Sequence, residues 1–247
     1  AELRGDHWVI NGSKIFITNS ACSLTGVIIV QAVTGRRGDG RPELSCLLIP
    51  ADAAGLSARE MKGKMMWRAS NTGELFFDDC VVPEENLLGD RGDGFHQMLF
   101  TLDRGRLGIA AMGLGGSQGA FELALQYANS RIQFGRPISS FQVNAFKLAD
   151  MALEIELARN LLYKACWLLE NDRTFTREAA MAKLYCSEVM RRCVHHAVQL
   201  HGGYGLMKDY RVERLYRDQR ILEIGEGTSE VLRIVIARNI GVVGRAM

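Results

Sequence analysis

Proline is nearly absent from the second part of the chain, and this limits what that part can form. From Phe95 onward the sequence contains one proline, Pro137, and apolar residues recur about every 3.6 positions, as on an amphipathic helix. One predicted helix face carries Leu148, Met151, Ile155, Ala158, Leu162, Ala165 and Leu169. A second face carries Ala180, Leu184, Ser187, Val194, Val198 and His201. Long amphipathic helices are therefore predicted here.

Residues that commonly end helices interrupt this pattern at four points. They are Arg136-Pro137, Asn171-Asp172, Gly202-Gly203 and Gly225 to Gly227. The breaks divide the region into four or five helices, and short connections favour antiparallel neighbours. We predict an antiparallel four-helix-bundle-like domain over residues 91–247.

The first predicted helix, Gly94 to about Ser130, has a glycine-rich middle. Its internal glycines are Gly105, Gly108, Gly113, Gly115, Gly116 and Gly119. Each costs about 0.5–1 kcal/mol relative to alanine in a helix interior. They therefore predict close approach by a neighbouring helix or by a ligand, and the sequence leaves both alternatives open.

Residues 1–90 have the pattern of a small antiparallel β-domain. Asn11-Gly12 separates two apolar runs, which predicts a β-hairpin with strands at 7–10 and 13–18. Further strands are predicted at 26–33, 44–49 and 73–82, the last two ending at Pro50 and Pro83. The predicted fold class is thus α+β with two domains, the β-domain preceding the helical one.

The composition is that of an ordinary globular protein, with 47% hydrophobic and 23% charged residues. A net charge of +2 argues against a nucleic-acid or anionic-membrane partner. The longest uncharged run, Leu107 to Phe121, is too short to span a membrane. The six cysteines form no C-x-x-C pair and the five histidines have no ligand spacing, so we assign no metal site. Free thiols suggest a reducing compartment, cytoplasmic or, in a eukaryote, the mitochondrial matrix.

The segment Ile224–Glu230 places one acid, Glu226, between two glycines and directly before a helix start. Such an acid can be a solvated residue near the positive end of the helix or a general base. Its use as a base depends on burial.

Two other segments suit a dinucleotide. Arg131–Pro137 combines an arginine fork, an aromatic ring and a glycine, which suits a pyrophosphate and an adenine or is simply a surface loop. Gln199–Gly205 is a glycine-rich turn that follows a helix, so it is not a Rossmann fingerprint. It predicts either close approach to a flat or phosphorylated ligand or a plain helix C-cap.

Five motifs, in this order, resemble the acyl-CoA dehydrogenase family. They are Phe16–Asn19, Asp103–Arg106, Arg131–Arg136, Gln199–Gly205 and Ile224–Glu230. Each motif alone is weak, but together they cover nearly the whole chain and are specific. The resemblance implies a β-domain followed by a four-helix domain, an FAD at a subunit interface and a homotetramer built as a dimer of dimers.

The resemblance also implies a reaction, the dehydrogenation of an acyl-CoA thioester to the 2-enoyl-CoA. Glu226 would take the α-proton while FAD accepts the β-hydrogen as hydride, and an electron-transferring flavoprotein would be the acceptor. In a minority of relatives the catalytic carboxylate stands at the position of Gly105, so the glycine here favours Glu226. Gly225, where many relatives carry an aromatic residue, implies a roomier pocket for a branched or cyclic acyl group.

Binding residues follow from the same resemblance. Those expected at the flavin ring are Phe16, Ile17 and Thr18. Those expected at the dinucleotide end are Arg131, Phe134 and Gln142, with Gln199, Gly202 and Gly203 from the partner surface. Thr228 and Glu230 are expected to contact the flavin. The substrate side is expected to comprise Asp103, Arg106 and Gly227.

One large departure from the family pattern leads to a further expectation. The helical domain with which the family begins does not precede Ala1, so this chain alone is expected to be incomplete and to retain FAD weakly. Alternative functions are an acyl-CoA oxidase and a DNA-binding relative with vestigial activity. The second would use Arg211, Arg214, Arg217 and Arg220 as a basic stripe, which could equally be a salt-bridged face.

Overall fold

Two units make up the computed structural model, which describes residues 1–242. The first comprises Ala1–Thr101 and the second begins at Leu102. No helix of the described residues is both long and apolar enough to cross a membrane.

The first unit is built from six strands, all paired in the antiparallel sense. They are β1 (Glu2–Arg4), β2 (His7–Thr18), β3 (Val27–Arg36), β4 (Pro42–Pro50), β5 (Leu56–Glu60) and β6 (Thr72–Pro83). One sheet has the order β1-β2-β6-β5, and β3 pairs with β4 in a second. Side chains of both sheets form one hydrophobic cluster, which includes Trp8, Ile28, Leu47, Ile49 and Leu75.

The predicted hairpin at Asn11-Gly12 is wrong, because β2 runs through both residues as one strand. Its two halves pair with the same partner, β6, and the register shifts between Ile10 and Gly12. Gly12 has φ +143°, which accommodates this irregularity. The Asn11 side chain donates to Asp79 and accepts from the Asp79 N–H, so it stabilises the bulge rather than a turn.

Two strands, β1 and β5, have no counterpart in the sequence prediction. β5 is an edge strand whose residues are exposed apart from half-buried Leu56. It therefore lacks the apolar alternation by which half-buried strands are recognised.

The second unit contains most of α1 and four further α-helices among the described residues. The elements are α1 (Gly94–Ser130), β7 (Ile132–Gln133), β8 (Arg136–Pro137), α2 (Gln142–Glu170), α3 (Thr176–His201), α4 (Val212–Asp218) and α5 (Ser229–Asn239). The bounds of α1 agree with the prediction. A small antiparallel β-domain and a helical domain confirm the predicted fold class.

Close helix packing accounts for two of the α1 glycines. A Cβ on Gly113 would lie 2.8 Å from the backbone oxygen of Cys186 on α3, and a Cβ on Gly116 would overlap Met190. Gly108, Gly115 and Gly119 have no neighbour of this kind among the described residues.

The predicted face of α2 is buried at Leu148, Met151, Ile155, Ala158, Leu162 and Ala165, and Leu169 is half-buried. The predicted α3 stripe is too narrow, because this helix is buried on most sides. Its buried residues also include Ala179, Ala182, Lys183 and Glu178.

Candidate functional site

The segment before α5 holds Glu226 in a tight turn. Glu226 has φ +55° and Gly227 has φ +99°. A left-handed conformation costs a non-glycine residue about 1–2 kcal/mol, and such strain is concentrated at functional sites. Thr228 caps α5, since its Oγ1 accepts a hydrogen bond from the Val231 N–H at 3.4 Å.

The Glu226 carboxylate lies directly against Gly105 of α1. A Cβ added to Gly105 would stand 2.7 Å from Glu226 Oε2, well inside van der Waals contact. The glycine-rich middle of α1 therefore meets the acid at one position and helix α3 at two others. Of the two alternatives considered for these glycines, close approach by a neighbouring helix applies to Gly113 and Gly116, whereas close approach by a ligand stays a prediction.

Asp103 and Arg106, the predicted substrate-side residues, lie one turn or less from Gly105. Arg106 is only 5% exposed and donates to Asp103 Oδ1 at 2.7 Å. Asp103 Oδ2 accepts from the Thr176 hydroxyl at 2.6 Å. Arg106 Nη2 is 3.9 Å from the point where a Cβ on Gly227 would stand, so the buried arginine lies beside the Glu226 turn.

Lys183 is a residue of this site that the sequence analysis missed. It lies on α3 with no exposed surface, and its ammonium donates to the Gly227 carbonyl oxygen at 2.5 Å. Burial, and to a smaller extent the neighbouring Arg106 charge, lower the pKa of Lys183 to about 8. The sequence signal that could have identified Lys183 is its position in the otherwise apolar stretch Ala179 to Leu184. Lysines are almost never fully buried unless they are paired, so a lysine in such a stretch is unusual.

Glu226 itself is exposed. According to the sequence analysis, Glu226 can act as a base only if its carboxyl group is buried. That burial is not seen in this chain. The features that the structure gives it are the left-handed turn, the close contact with Gly105 and two buried cations nearby.

Thr228 and Glu230, predicted flavin contacts, line a charged cleft of about 440 Å³. Its other residues are Glu188, Arg191, Arg220, Glu223, Ile224, Ser229 and Arg233. The Glu230 backbone N–H and the Thr228 hydroxyl hold the pKa of the Glu230 carboxyl below its usual range. Ser229 Oγ is buried and has no hydrogen-bond partner among the described residues.

The predicted Arg-Phe-Gly loop is a two-residue hairpin between β7 and β8. Phe134 and Gly135 have φ +53° and +77°, the pair of positive values that a type I′ turn requires. The turn presents the Phe134 ring at the tip, where it is 91% exposed. Such a large exposed ring suits stacking on a ligand or a partner subunit.

Arg131, Gly202 and Gly203 are brought together at one cleft of about 500 Å³. The remaining lining residues are Tyr127, Gln133, Ile138, Leu200, His201, Tyr204 and Met207. The Arg131 guanidinium lies 5.5 Å from the centre of the Tyr204 ring. Gln199 is exposed and lines a different cleft, and Gln142 stands at the start of α2.

Tyr127 and His201 contribute to this cleft and were not predicted as site residues. Their rings stack with centroids 4.2 Å apart. Burial lowers the pKa of His201, whose Nδ1 lies 2.8 Å from the Ala197 carbonyl oxygen. A neutral, buried imidazole under a tyrosine ring gives the cleft a flat aromatic wall.

Phe16, Ile17 and Thr18 belong to the first unit, at the end of β2. A second register shift lies between Lys14 and Ile17, and Phe16 has φ +61°. The Phe16 side chain is 68% exposed. The irregular backbone thus presents an aromatic ring and a neighbouring hydroxyl to the outside of the sheet.

Two of the four arginines in the proposed basic stripe form ion pairs. Arg217 binds Glu213 at 2.8 Å, and Arg220 is in contact with Glu223. These ion pairs support the salt-bridged reading of the stripe over a nucleic-acid surface.

Comparison with known proteins gives two family matches. The model described as "Acyl-CoA dehydrogenase, C-terminal domain" matches residues 92–241, and the "Acyl-CoA dehydrogenase, middle domain" model matches residues 1–80. A curated relative, "Probable acyl-CoA dehydrogenase YngJ" of Bacillus subtilis, is 52% identical over 96% of this chain.

Two solved structures have the same fold. Butyryl-CoA dehydrogenase from Megasphaera elsdenii superposes with a TM-score of 0.92 at 40% identity over 97% of this chain. A chain from the structural study of the electron transferring flavoprotein of Acidaminococcus fermentans gives a TM-score of 0.93 at 42% identity and the same coverage. This chain spans 62% of the length of each of these three proteins.

Proposed function

Because the chain belongs to the acyl-CoA dehydrogenase family, we propose that it serves in the FAD-dependent α,β-dehydrogenation of an acyl-CoA thioester to the 2-enoyl-CoA. The observation that carries the proposal is the placement of the Glu226 carboxylate, on a left-handed turn, against the bare α-carbon of Gly105.

Glu226 is the base that removes the α-proton. The left-handed turn fixes the backbone of Glu226, from which its exposed side chain would reach the α-carbon of a substrate bound beside Gly105. The missing side chain at Gly105 lets the carboxylate lie against α1, and a Cβ at Gly227 would make only ordinary contacts, at 3.7 Å or more.

The thioester carbonyl must be polarised as the proton leaves, because its α-carbon is a weak acid. We assign one donor to the Glu226 backbone N–H, which would bind the carbonyl oxygen where negative charge develops. The buried Arg106 and Lys183 add positive charge behind the same turn. Asp103 orients Arg106 through their ion pair.

The residues present fit FAD. Arg131 offers a fork for a pyrophosphate beside glycines at 202 and 203, at which an added Cβ would meet nothing within 4 Å. The unpartnered Ser229 Oγ is a further polar group available at the start of α5. FAD supplies an acceptor for the β-hydrogen as hydride.

The assigned flavin-binding residues of this chain fall into three sets. Phe16, Ile17 and Thr18 would bind the ring, and Thr228 and Glu230 the adjoining part of the cofactor. Arg131, Phe134, Gln142, Gln199, Gly202 and Gly203 would bind the dinucleotide end, in the assembly across a subunit interface.

We propose a short acyl chain as substrate, on the similarity to a butyryl-CoA dehydrogenase. Gly225 predicts instead a branched or cyclic acyl group, since a Cβ there would meet Ile221 only at ordinary contact distance, 3.5 Å. Turnover of butyryl-, isobutyryl-, isovaleryl- and octanoyl-CoA separates these proposals. The first requires the highest kcat/KM with butyryl-CoA, and the second with a branched substrate.

The electron acceptor is proposed to be an electron-transferring flavoprotein, in the cytoplasm or the mitochondrial matrix. A homotetramer is proposed because α2 exposes Val143, Phe146, Leu153, Leu157, Tyr163 and Trp167, a large apolar surface for one helix. An acyl-CoA oxidase remains the second enzyme candidate, and stoichiometric peroxide release during turnover would identify it.

The test of the function is Glu226→Gln in the FAD-loaded enzyme. We expect anaerobic butyryl-CoA to bleach the flavin absorbance of the wild type, and Glu226→Gln to lose at least about 10³-fold in bleaching rate. Glu170→Gln, an exposed acid at the end of α2, is the matched control. Bleaching by Glu226→Gln at the wild-type rate would show that the base is another residue.

A further inference from the structure

Lys183 is unusual because it carries a charge into the packed interior of the second unit. It has no exposed surface, and only Trp8 is a larger side chain among those most fully buried in the described residues. Burying an ammonium is unfavourable unless it finds strong hydrogen-bond acceptors. Its acceptor is the Gly227 carbonyl oxygen, at 2.5 Å.

The Gly227 carbonyl belongs to the residue that follows Glu226. With φ of +55° at Glu226 and +99° at Gly227, this peptide segment turns away from helical geometry. A carbonyl that is partly withdrawn from water is stabilised by a hydrogen-bond donor, and the donor to Gly227 comes from the interior. Lys183 supplies that donor from α3.

Four charged groups act on Lys183. Arg106 on α1 opposes its positive charge, whereas Glu226 in the turn, Glu223 before it and Glu230 on α5 favour it. Lys183 and Glu226 are therefore coupled in two ways, through the Gly227 backbone and through their charges.

We propose that Lys183 is a positioning residue, whose ammonium holds the Gly227 carbonyl and so keeps the Glu226 carboxylate facing Gly105. The inference rests on the proposed role of Glu226 as the base. An ammonium is a stronger donor than a neutral amine, so the positioning depends on the protonation of Lys183.

Kinetics of the FAD-loaded enzyme with butyryl-CoA test the proposal. Lys183→Met, which has neither donor nor charge, is expected to lower kcat about 10- to 100-fold at pH 7.5 with KM changed less than about threefold. Wild-type kcat falls as the pH rises through about 8, the pKa of Lys183. Lys183→Met lacks this alkaline decrease, and Lys183→Arg, if folded, moves it to higher pH.

The control is Lys208→Met, which removes an exposed lysine of the second unit. It should keep the wild-type kcat and the alkaline decrease. If the role of Lys183 is merely structural, Lys183→Met lowers the stability of the protein but keeps the decrease of kcat at alkaline pH.

A measurement without turnover covers the case in which Lys183→Met does not fold. The Lys183 ammonium is titrated by ¹⁵N NMR in the wild type and in Glu226→Gln. The midpoint is expected near 8 in the wild type and lower in Glu226→Gln, which lacks the carboxylate that favours the charged form. Equal midpoints would overturn the coupling.

The outcomes separate this inference from the proposed function. If Glu226→Gln remains active, the assigned base is wrong whatever Lys183 does. If Glu226→Gln is inactive while folded Lys183→Met has wild-type kcat and pH profile, the function stands and the positioning role of Lys183 is rejected.

Discussion

The α-carbon of Gly113 faces the backbone oxygen of Cys186 so closely that a Cβ would approach it to 2.8 Å. Backbone atoms of two packed helices cannot move independently, so this contact has little room to relax. It is one of the points at which the packing of α1 against α3 requires a glycine on α1.

Gly113→Ala should therefore destabilise the protein, by about 1–3 kcal/mol from overpacking, despite the better helix propensity of alanine. Urea unfolding measures the difference. Gly119→Ala on the same helix, where a Cβ would meet nothing within 4 Å, is the control and should be neutral or stabilising. Equal stability of the two variants would mean that the helices are less tightly packed.

Gly105→Ala is expected to reduce activity more than stability. A Cβ at 2.7 Å from Glu226 Oε2 must displace the carboxylate, which belongs to an exposed side chain and can rotate away. We expect kcat to fall at least about tenfold, since misplacing a base by about 1 Å loses much of its effect. Gly108→Ala, with open space at its Cβ, should retain activity.

The stability of the wild type relative to Lys183→Met should rise with pH. Folding lowers the pKa of Lys183 from 10.5 to about 8, so the unfolded chain binds more protons between these values. The buried ammonium destabilises the fold fully below pH 8, and this effect is lost as the pH rises to 10.5. The relative gain is at most about 3 kcal/mol.

Urea unfolding of both variants at pH 7.5, 9 and 10 checks this. Buried Cys186 and Cys193, whose pKa values are raised to about 12, make both variants less stable above pH 9, but their contribution cancels in the difference. A difference that does not change with pH would mean that Lys183 titrates normally.

Phe134→Ala should weaken FAD binding without affecting stability. The ring is 91% exposed at the hairpin tip, so little burial is lost on its removal. Stacking of a single aromatic ring contributes about 0.5–1.5 kcal/mol, which corresponds to roughly a 2- to 12-fold higher Kd. Leu24→Ala, also 91% exposed but in a loop of the first unit, is the control, and both are compared by flavin fluorescence titration and urea unfolding.

The helices were predictable because their signals are local. Proline and glycine placement gave the bounds of α1, and the apolar period gave the buried face of α2. β2 was predicted wrongly because Asn-Gly also occurs at a bulge, where the partner strand rather than the loop length decides the outcome. The edge strand β5 carries no burial pattern to detect.

The site was predictable only in part, for the opposite reason. Glu226 stands in a recognisable motif, but its contact with Gly105 and the anchoring of Gly227 by Lys183 join segments far apart in sequence. The buried lysine runs against the pattern by which interior residues are recognised, so its role emerges only from the packed structure.

The contact between positions 105 and 226 also limits which substitutions this chain can accept at either position. Where the acid stands at one of these positions, the other has to be small, since both side chains would fill the same volume. A lineage that transfers the acid from one segment to the other by single substitutions must pass through a protein with two crowded glutamates or with none. The packing at these two positions should therefore oppose a stepwise move of the acid from residue 226 to residue 105.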